Sequence, residues 1–414
     1  MTKRIFWIGQ RMYDGLIYSK LIPEIDVLFC CDSCTDDSSL KDRLRVFSLQ
    51  RATGISRKWS CADISLIIAQ FKEEIAQLLS VGYSVLPYDF PAKSELFQRY
   101  ENSIYNSDVI SSSLLRIETL QVMSNSGLAT INNYVPTTGN VDLVRRNDRF
   151  VAQYDNSSSG EGTYLLASAE EYNQLVEAHG RPDLISEYAD GIPMTVHLRI
   201  DKEKFSVSAL SAQIIEPIEN DVGKKLTYCG NDFSASKRFC PQVFNAIAAM
   251  ADKIARAFRR IGIVGLVGVD FILNQDKPLI NEVNYRLQNS TAIFASLQPD
   301  NNCVLSLVNG ISDCVVDLTS FDIFQYTQFS NSDGEKIKSG IYSASGEIIA
   351  LGLFYPDQLP PHRYIIVSSA DKHINAGKYA IKVIGNCESS NVHQQVKSFL
   401  ANVLLNTNAN KEML

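Results

Sequence analysis

Long apolar runs are missing from this 414-residue chain, and so are the short motifs that announce most enzyme classes. No stretch of about eighteen apolar residues occurs, so no membrane-spanning helix is expected. The opening Met1-Thr-Lys-Arg-Ile-Phe-Trp-Ile-Gly9 has an apolar run too short for the core of a secretory signal, and it predicts a first strand instead. A basic excess is missing as well. With 39 Lys and Arg against 46 Asp and Glu, the formal charge of -7 lacks the footprint of a nucleic-acid binder. Nine cysteines, an odd number in a long chain, argue against a disulfide framework. Cys30-Cys31-Asp-Ser-Cys34 has no second Cys or His pair at zinc-finger spacing, so structural thiols are expected there. These absences predict a cytoplasmic protein that partners neither nucleic acid nor membrane.

Familiar nucleotide and hydrolase signatures are lacking too. A single Gly9 after the first strand falls short of a dinucleotide fingerprint, which needs three glycines at set spacing and a following helix. No Gly-Lys-Ser/Thr ending marks a Walker loop. His179 and His197 have no Ser or Cys partner in a nucleophile motif, which removes support for hydrolase chemistry. Neither an internal repeat nor a low-complexity tract is found.

What is present is an ordinary globular composition, 45% hydrophobic and 21% charged. At roughly 100–200 residues per domain the chain is long enough for about two to four. Residues 1–110 alternate strand-like pieces at 4–8, 25–30 and 83–87 with a helical pattern over 64–79. That layout predicts a Rossmann-like leader without a nucleotide of its own. Across 111–310 the pattern runs helix (112–124, stopping near Gly127), strand (150–153), loop, strand (163–167) and helix (170–179). Strands at 184–188 and 194–200, a long helix over 241–261 and a hairpin complete it. From 311 to 414 a hairpin about Ser345-Gly346 and a helix over 391–405 predict a small, β-rich α+β domain. The expected fold class is therefore mixed α/β (α+β).

The most informative stretch is Gly265-Leu-Val-Gly268-Val-Asp270-Phe-Ile-Leu, a turn at Asn274-Gln-Asp-Lys-Pro278, and Leu279-Ile-Asn-Glu282-Val-Asn284-Tyr-Arg286. Two apolar runs joined by a turn predict a hairpin, and residues two apart on a strand point the same way. Asp270 thus shares a face with Glu282 and Asn284, with Arg286 two residues further on. Two carboxylates and an amide oxygen suit a hard divalent cation, which shares its remaining positions with nucleotide phosphates. The alternative is an acidic hairpin with a solvated face.

Upstream, Phe150-Val-Ala-Gln153-Tyr-Asp-Asn-Ser157-Ser158-Ser159-Gly160-Glu-Gly162-Thr163-Tyr-Leu is a strand, a small-residue loop and a second strand. Such a loop lets backbone N–H groups approach phosphate oxygens, and its hydroxyls add donors. Taken together and in this order, the loop and the acidic hairpin resemble the ATP-grasp ligases. In that family a Gly-rich hairpin loop covers the nucleotide phosphates, a linker strand contacts adenine, and a later hairpin with an acidic residue followed by Glu-x-Asn-x-Arg binds magnesium.

The resemblance covers roughly 111–310 and implies an ATP-grasp fold. It implies that Asp270, Glu282 and Asn284 hold Mg²⁺ or Mn²⁺, that Arg286 stabilises an acyl phosphate, and that ATP is the cosubstrate. Ser157, Ser158, Ser159, Gly160, Gly162 and Thr163 would contact phosphates, and Glu187-Tyr188 would form the adenine linker. Two positions depart from the family pattern, where lysines usually stand: Gln153 before the loop, and Arg116 eleven residues ahead of Gly127. Arginine keeps the charge whereas glutamine donates only a neutral hydrogen bond, and Arg145, Arg146 or Arg149 are candidates to cover the loss. His197 and Arg199, alternating on a strand after the linker, either face the nucleotide cleft or pack away from it.

Gln153 with the Ser-Ser-Ser-Gly-x-Gly-Thr loop, Ser211-Ala-Gln213 and Gly230-Asn-Asp232-Phe resemble a narrower branch with a pre-ATP-grasp leader. That branch includes the butirosin acyl-carrier-protein L-glutamate ligase and the pheganomycin peptide ligase. It implies ATP-dependent ligation of an amino acid, L-glutamate foremost, to the phosphopantetheine thiol of an acyl carrier protein in antibiotic biosynthesis. A peptide amine is the alternative acceptor, and a homodimer is a further expectation. Arg43, Arg45, Arg51, Arg57 and Lys58, or Arg256, Arg259 and Arg260, are candidate docking cations for an acidic carrier. A nucleotide-binding protein without ligase activity and a small-molecule kinase are the competing classes.

Overall fold

The computed structural model describes residues 4–34, 40, 42–59, 63–88, 116–135, 149–154, 162–298, 304–306, 310, 314–330, 337–369, 379–389 and 391–412. In the leader, β1 (Ile5–Gly9) runs into α1 (Met12–Leu21), followed by β2 (Ile25–Cys30), β3 (Arg45–Ser48) and, after three helices, the first a single turn at Leu49–Thr53, β4 (Ser84–Pro87). All pair in parallel in the order β3-β2-β1-β4. The strands are apolar on both faces because helices cover them, as a parallel sheet requires. Where spacing predicts one helix over 64–79 there are two, α2 (Ile64–Gln70) and α3 (Lys72–Ser80). The break falls at Phe71, whose ring enters the core 5.8 Å from that of Phe29 and 5.5 Å from that of Phe47.

Next comes α4 (Arg116–Asn125), then β5 (Asn133–Tyr134), β6 (Phe150–Gln153), β7 (Thr163–Leu166), α5 (Ala169–His179) and β8 (Leu184–Glu187). β6 lies between β7 and β8, antiparallel to both. Alternation sorts its two faces. Phe150, Ala152, Tyr164, Leu166 and Ile185 pack with Leu175 of α5 in a small core, while Val151, Gln153, Thr163, Leu165 and Ser186 face a cavity.

The central sheet holds β9 (Ile192–Ile200), β10 (Phe205–Asn220), β11 (Gly223–Asp232), β12 (Gly265–Asn274) and β13 (Lys277–Asn284), in the order β13-β12-β9-β10-β11. α6 (Pro241–Arg260) crosses it with Val243, Ile247, Met250, Ile254 and Phe258 buried, the three- and four-residue spacing of an amphipathic helix. The short helix α7 (Asn289–Leu297) follows the hairpin.

The C-terminal strands prolong this sheet. β14 (Val315–Val316) pairs with β10; β15 (Ile323–Ser330) pairs with β11 and leads through β19 (Tyr379–Asn386) and β18 (Arg363–Ser368) to β16 (Gly340–Ser343) and β17 (Ile348–Leu351). α8 (Val392–Glu412) covers one face with Val396, Phe399 and Val403. One core joins the leader to α7 and the C-terminal strands, with Trp7, Phe29, Phe294, Ile365 and Ile384 all fully buried in it. Lys382 of β19 meets Asp14 of α1 at 2.7 Å, and both side chains are buried. A buried charge left without its partner is expensive, so this pair fixes how the two parts dock. Among the described residues no helix is long and apolar enough to cross a membrane.

Candidate active site

The hairpin β12–β13 turns through Gln275, whose φ of 56° lies in the left-handed region, and Asp276. Its register sets Asp270 opposite Glu282 and Gly268 opposite Asn284. Asp270 is buried and held on both oxygens: Asn284 Nδ2 donates to Oδ2 at 3.0 Å and Gln288 Nε2 to Oδ1 at 3.2 Å. Thr195 of β9 in turn donates to Gln288 Oε1 at 3.1 Å. Gln288 caps α7 as well, its backbone N–H reaching Thr291 Oγ1 at 2.8 Å. A glutamine at a helix start thus orients a carboxylate on the neighbouring hairpin.

Burial first, and then the adjacent Glu282 carboxylate, push the Asp270 pKa above the ordinary carboxylate value. A buried carboxylate beside a half-buried one forms a locus that a divalent cation relieves. The donor set is carboxylate and amide oxygen, the chemistry that suits Mg²⁺ or Mn²⁺. Asn284 spends its amide nitrogen on Asp270 and keeps its oxygen for a ligand. The residues present therefore fit such an ion.

These groups open onto a cavity of about 430 Å³ between the β6–β7–β8 wall and the central sheet. Its apolar part is made by Val151 and Leu165 on one side and Ile215, Leu226, Ile272 and Pro193 on the other. At its rim run Glu187, Tyr188 and Ala189, with Glu187 Oε2 accepting from Asn132 Nδ2 at 2.9 Å. Its deeper, polar part is lined by Tyr88, Gln213, Tyr228, Asn231, Arg286 and Asn289. Arg286 is the one cation among the described lining residues; it lies 5.8 Å from the Tyr88 ring centroid and donates to the Leu287 carbonyl at 3.2 Å. Tyr88 itself donates to Asn289 Oδ1 at 3.1 Å, so the leader helps to wall the cavity.

Of the residues singled out from the sequence, Gln153, Thr163, Glu187 and Tyr188 line the cavity, as do Asp270, Glu282, Asn284 and Arg286. Gly162 immediately precedes β7, and Arg116 is the first residue of α4. Ser157, Ser158, Ser159 and Gly160 lie outside the described residues, as do Arg145 and Arg146. Arg149 pairs with Asp190 at 3.2 Å and sits over the Tyr188 ring at 4.3 Å.

One alternative is resolved against the cleft. On β9 Pro193 and Thr195 reach the cavity; His197 is fully buried under α7, its Nε2 3.0 Å from Thr291 Oγ1, and Arg199 is buried with its guanidinium on the Ile200 carbonyl. The first turn of α7 covers this part of the strand. Sequence reading did not assign Tyr88, Thr195, Tyr228 or Gln288. The Gln288-x-x-Thr291 pattern of a helix start was a signal for the last, and Tyr88 follows the C-terminal end of a parallel strand, where α/β sheets bind ligands. In the sequence Gln213 and Asn231 belong only to the resemblance pattern, and the structure sets both on the cavity. Asn231 is fully buried, accepts from Tyr228 Oη and from Gln325 Nε2 at 3.2 Å, and donates to Ser211 Oγ at 3.0 Å.

Residues 119–290 match the ATP-grasp domain family. No curated protein matches the chain. Among solved structures, the ADP complex of N5-carboxyaminoimidazole ribonucleotide synthetase superposes with a TM-score of 0.59 at 13% identity, covering 96% of each chain. L-amino acid ligase from Bacillus licheniformis does so at 0.56 and 12% identity, covering 97% of each chain. The biotin carboxylase domain of Hydrogenobacter thermophilus 2-oxoglutarate carboxylase, with MgADP and bicarbonate, gives 0.58 at 14% identity over 93% of this chain and 86% of that one. The chain has the ATP-grasp fold, in a mixed α/β architecture.

Proposed function

We propose that this chain is an ATP-dependent, ADP-forming ligase that activates a carboxylate as an acyl phosphate. The observation that carries the reading is the Asp270–Glu282–Asn284–Arg286 group facing one cavity with the Glu187-Tyr188 linker. Adenine takes the apolar slot between Val151, Leu165 and Leu226, with the linker backbone along its edge. The phosphates point toward the hairpin, where Asp270, Glu282 and Asn284 would hold Mg²⁺ or Mn²⁺. When bound, that ion supplies charge neutralisation on the transferring oxygens.

Arg286 offers a planar fork to the substrate carboxylate and then to the acyl phosphate made from it. A carboxylate oxygen attacks the γ-phosphorus and ADP leaves; a nucleophile then attacks the acyl carbon, and phosphate leaves with that oxygen. Catalysis of this kind is mostly positioning and electrostatics, which the bonded network around Asp270 provides.

The substrate we assign is an amino acid, L-glutamate foremost, and the acceptor the phosphopantetheine thiol of an acyl carrier protein, as in butirosin-type antibiotic biosynthesis. A second reading, a peptide amine as acceptor, is favoured by how the candidate docking cations are used. Arg43 donates to the Pro23 carbonyl at 3.0 Å, Arg51 to that of Cys34 at 3.0 Å, and Arg256 pairs with Asp252 at 2.8 Å. These arginines already serve their own chain.

The test is ADP release with Mg²⁺ and each amino acid in turn, with and without phosphopantetheinylated carrier, read beside the intact mass of the carrier. A gain of one glutamyl unit supports the thioester. ADP release that needs an amine or peptide, with carrier mass unchanged, moves the assignment to a peptide ligase. ADP formed with no dependence on any carboxylate removes the ligase reading.

A further inference from the structure

The cavity-facing side of the β6–β7–β8 wall is apolar or hydroxylic except at Glu187, the last residue of β8, and at Gln153. Val151, Leu165, Thr163 and Ser186 share that face with Gln153, which is only 5% exposed. Gln153 Oε1 has no hydrogen-bond partner among the described residues. A buried carbonyl oxygen in that state costs free energy, and a ligand that brings a donor repays it.

The chemistry of the missing partner follows from the atom. Oε1 is an acceptor, so a phosphate, which offers only acceptor oxygens, does not satisfy it. The same terminal amide also carries two N–H donors beside that oxygen. Of the two purine bases, adenine presents the complement side by side at its 6-amino and N7 edge, which glutamine pairs with two hydrogen bonds. Guanine presents O6 and N7, both acceptors, and leaves Oε1 unpaired.

Resting on the nucleotide reading above, we propose that Gln153 is a base-reading residue, which pairs with the N6/N7 edge of adenine and makes the site select adenine over guanine nucleotides. A cation at this point would donate to either base. Glutamine gives up that charge and gains discrimination, because a site built around a paired amide rejects a ligand that leaves it unpaired.

The experiment is calorimetric binding of ADP, 7-deaza-ADP and GDP to the full chain and to Gln153→Met and Gln153→Lys. Methionine keeps the length and shape of glutamine. The wild type should bind 7-deaza-ADP about tenfold more weakly than ADP, and GDP more weakly still. Gln153→Met should bind ADP and 7-deaza-ADP alike, and Gln153→Lys should narrow the preference for ADP over GDP. Equal affinity of the wild type for ADP and 7-deaza-ADP overturns the proposal, as does equal weakening of both ligands in Gln153→Met, the signature of a phosphate contact. Failure of the wild type to bind any of the nucleotides instead removes the nucleotide site itself.

Discussion

The two walls of the cavity carry buried glutamines in opposite states. On the hairpin side, Gln288 takes a bond from Thr195, gives one to Asp270 and caps α7. On the β6 side, the carbonyl of Gln153 has no partner among the described residues. The contrast separates a wall arranged in advance from a wall whose last bond is left to a ligand. Charge transfer needs the first kind, because groups that stabilise a changing charge distribution must not reorganise as it changes. Recognition is served by the second, since an amide unsatisfied in the empty site contributes only when the right edge arrives.

Four changes break or sharpen this contrast. The largest effect belongs to Glu282→Gln combined with Asn284→Ala, which removes one charge and one oxygen ligand; turnover should fall by about a thousandfold or more, with the fold intact by circular dichroism. Gln288→Met comes next. It removes the amide donor to Asp270 Oδ1 and the acceptor of the Thr195 hydroxyl, so we expect a loss of about 10–100-fold in kcat and of about 1–3 kcal/mol in denaturant-measured stability. Gly268→Ala acts on the same glutamine from across the sheet, because a Cβ there would overlap the Gln288 amide. Its amide is tied on both sides, so the variant should mimic Gln288→Met in kind, with a smaller loss of turnover of about tenfold. The smallest effect is that of Gln153→Met on the unliganded chain, where stability should stay within about 0.5 kcal/mol or rise, since an unpaired polar atom is being deleted. Equal destabilisation by the two glutamine replacements would erase the distinction between the walls.

What was legible in the sequence was local. The hairpin could be read because Asp270, Glu282, Asn284 and Arg286 sit within seventeen residues of one another on two paired strands, where a period of two fixes which side chains share a face. The strand at 25–30 and the helix starting at Pro241 were equally plain, since each is bounded by its own turn or cap signal. Tyr88, Tyr228 and Thr195 escaped because they come from three separate strand regions, and only folding sets them beside the hairpin. The pair His197 and Arg199 has the alternation of Thr195 but does not line the cavity, and α7, which covers His197, is remote in sequence. Helix continuity across Phe71 failed for a related reason: the pull of Phe29 and Phe47 on that ring is tertiary. The Gln153 substitution was visible in the sequence as a departure, yet its meaning depended on knowing that the amide is buried and which of its atoms lacks a partner.

The central claim is that a carboxylate is activated through an acyl phosphate. It is tested most directly with L-glutamate, or whichever amino acid supports ADP release, labelled with ¹⁸O in the carboxylate and turned over in unlabelled water with its acceptor. Mass analysis of the released phosphate should find one ¹⁸O atom per phosphate, carried over when the acyl carbon–oxygen bond breaks. Unlabelled phosphate, with all the label retained in the organic product, would contradict the account.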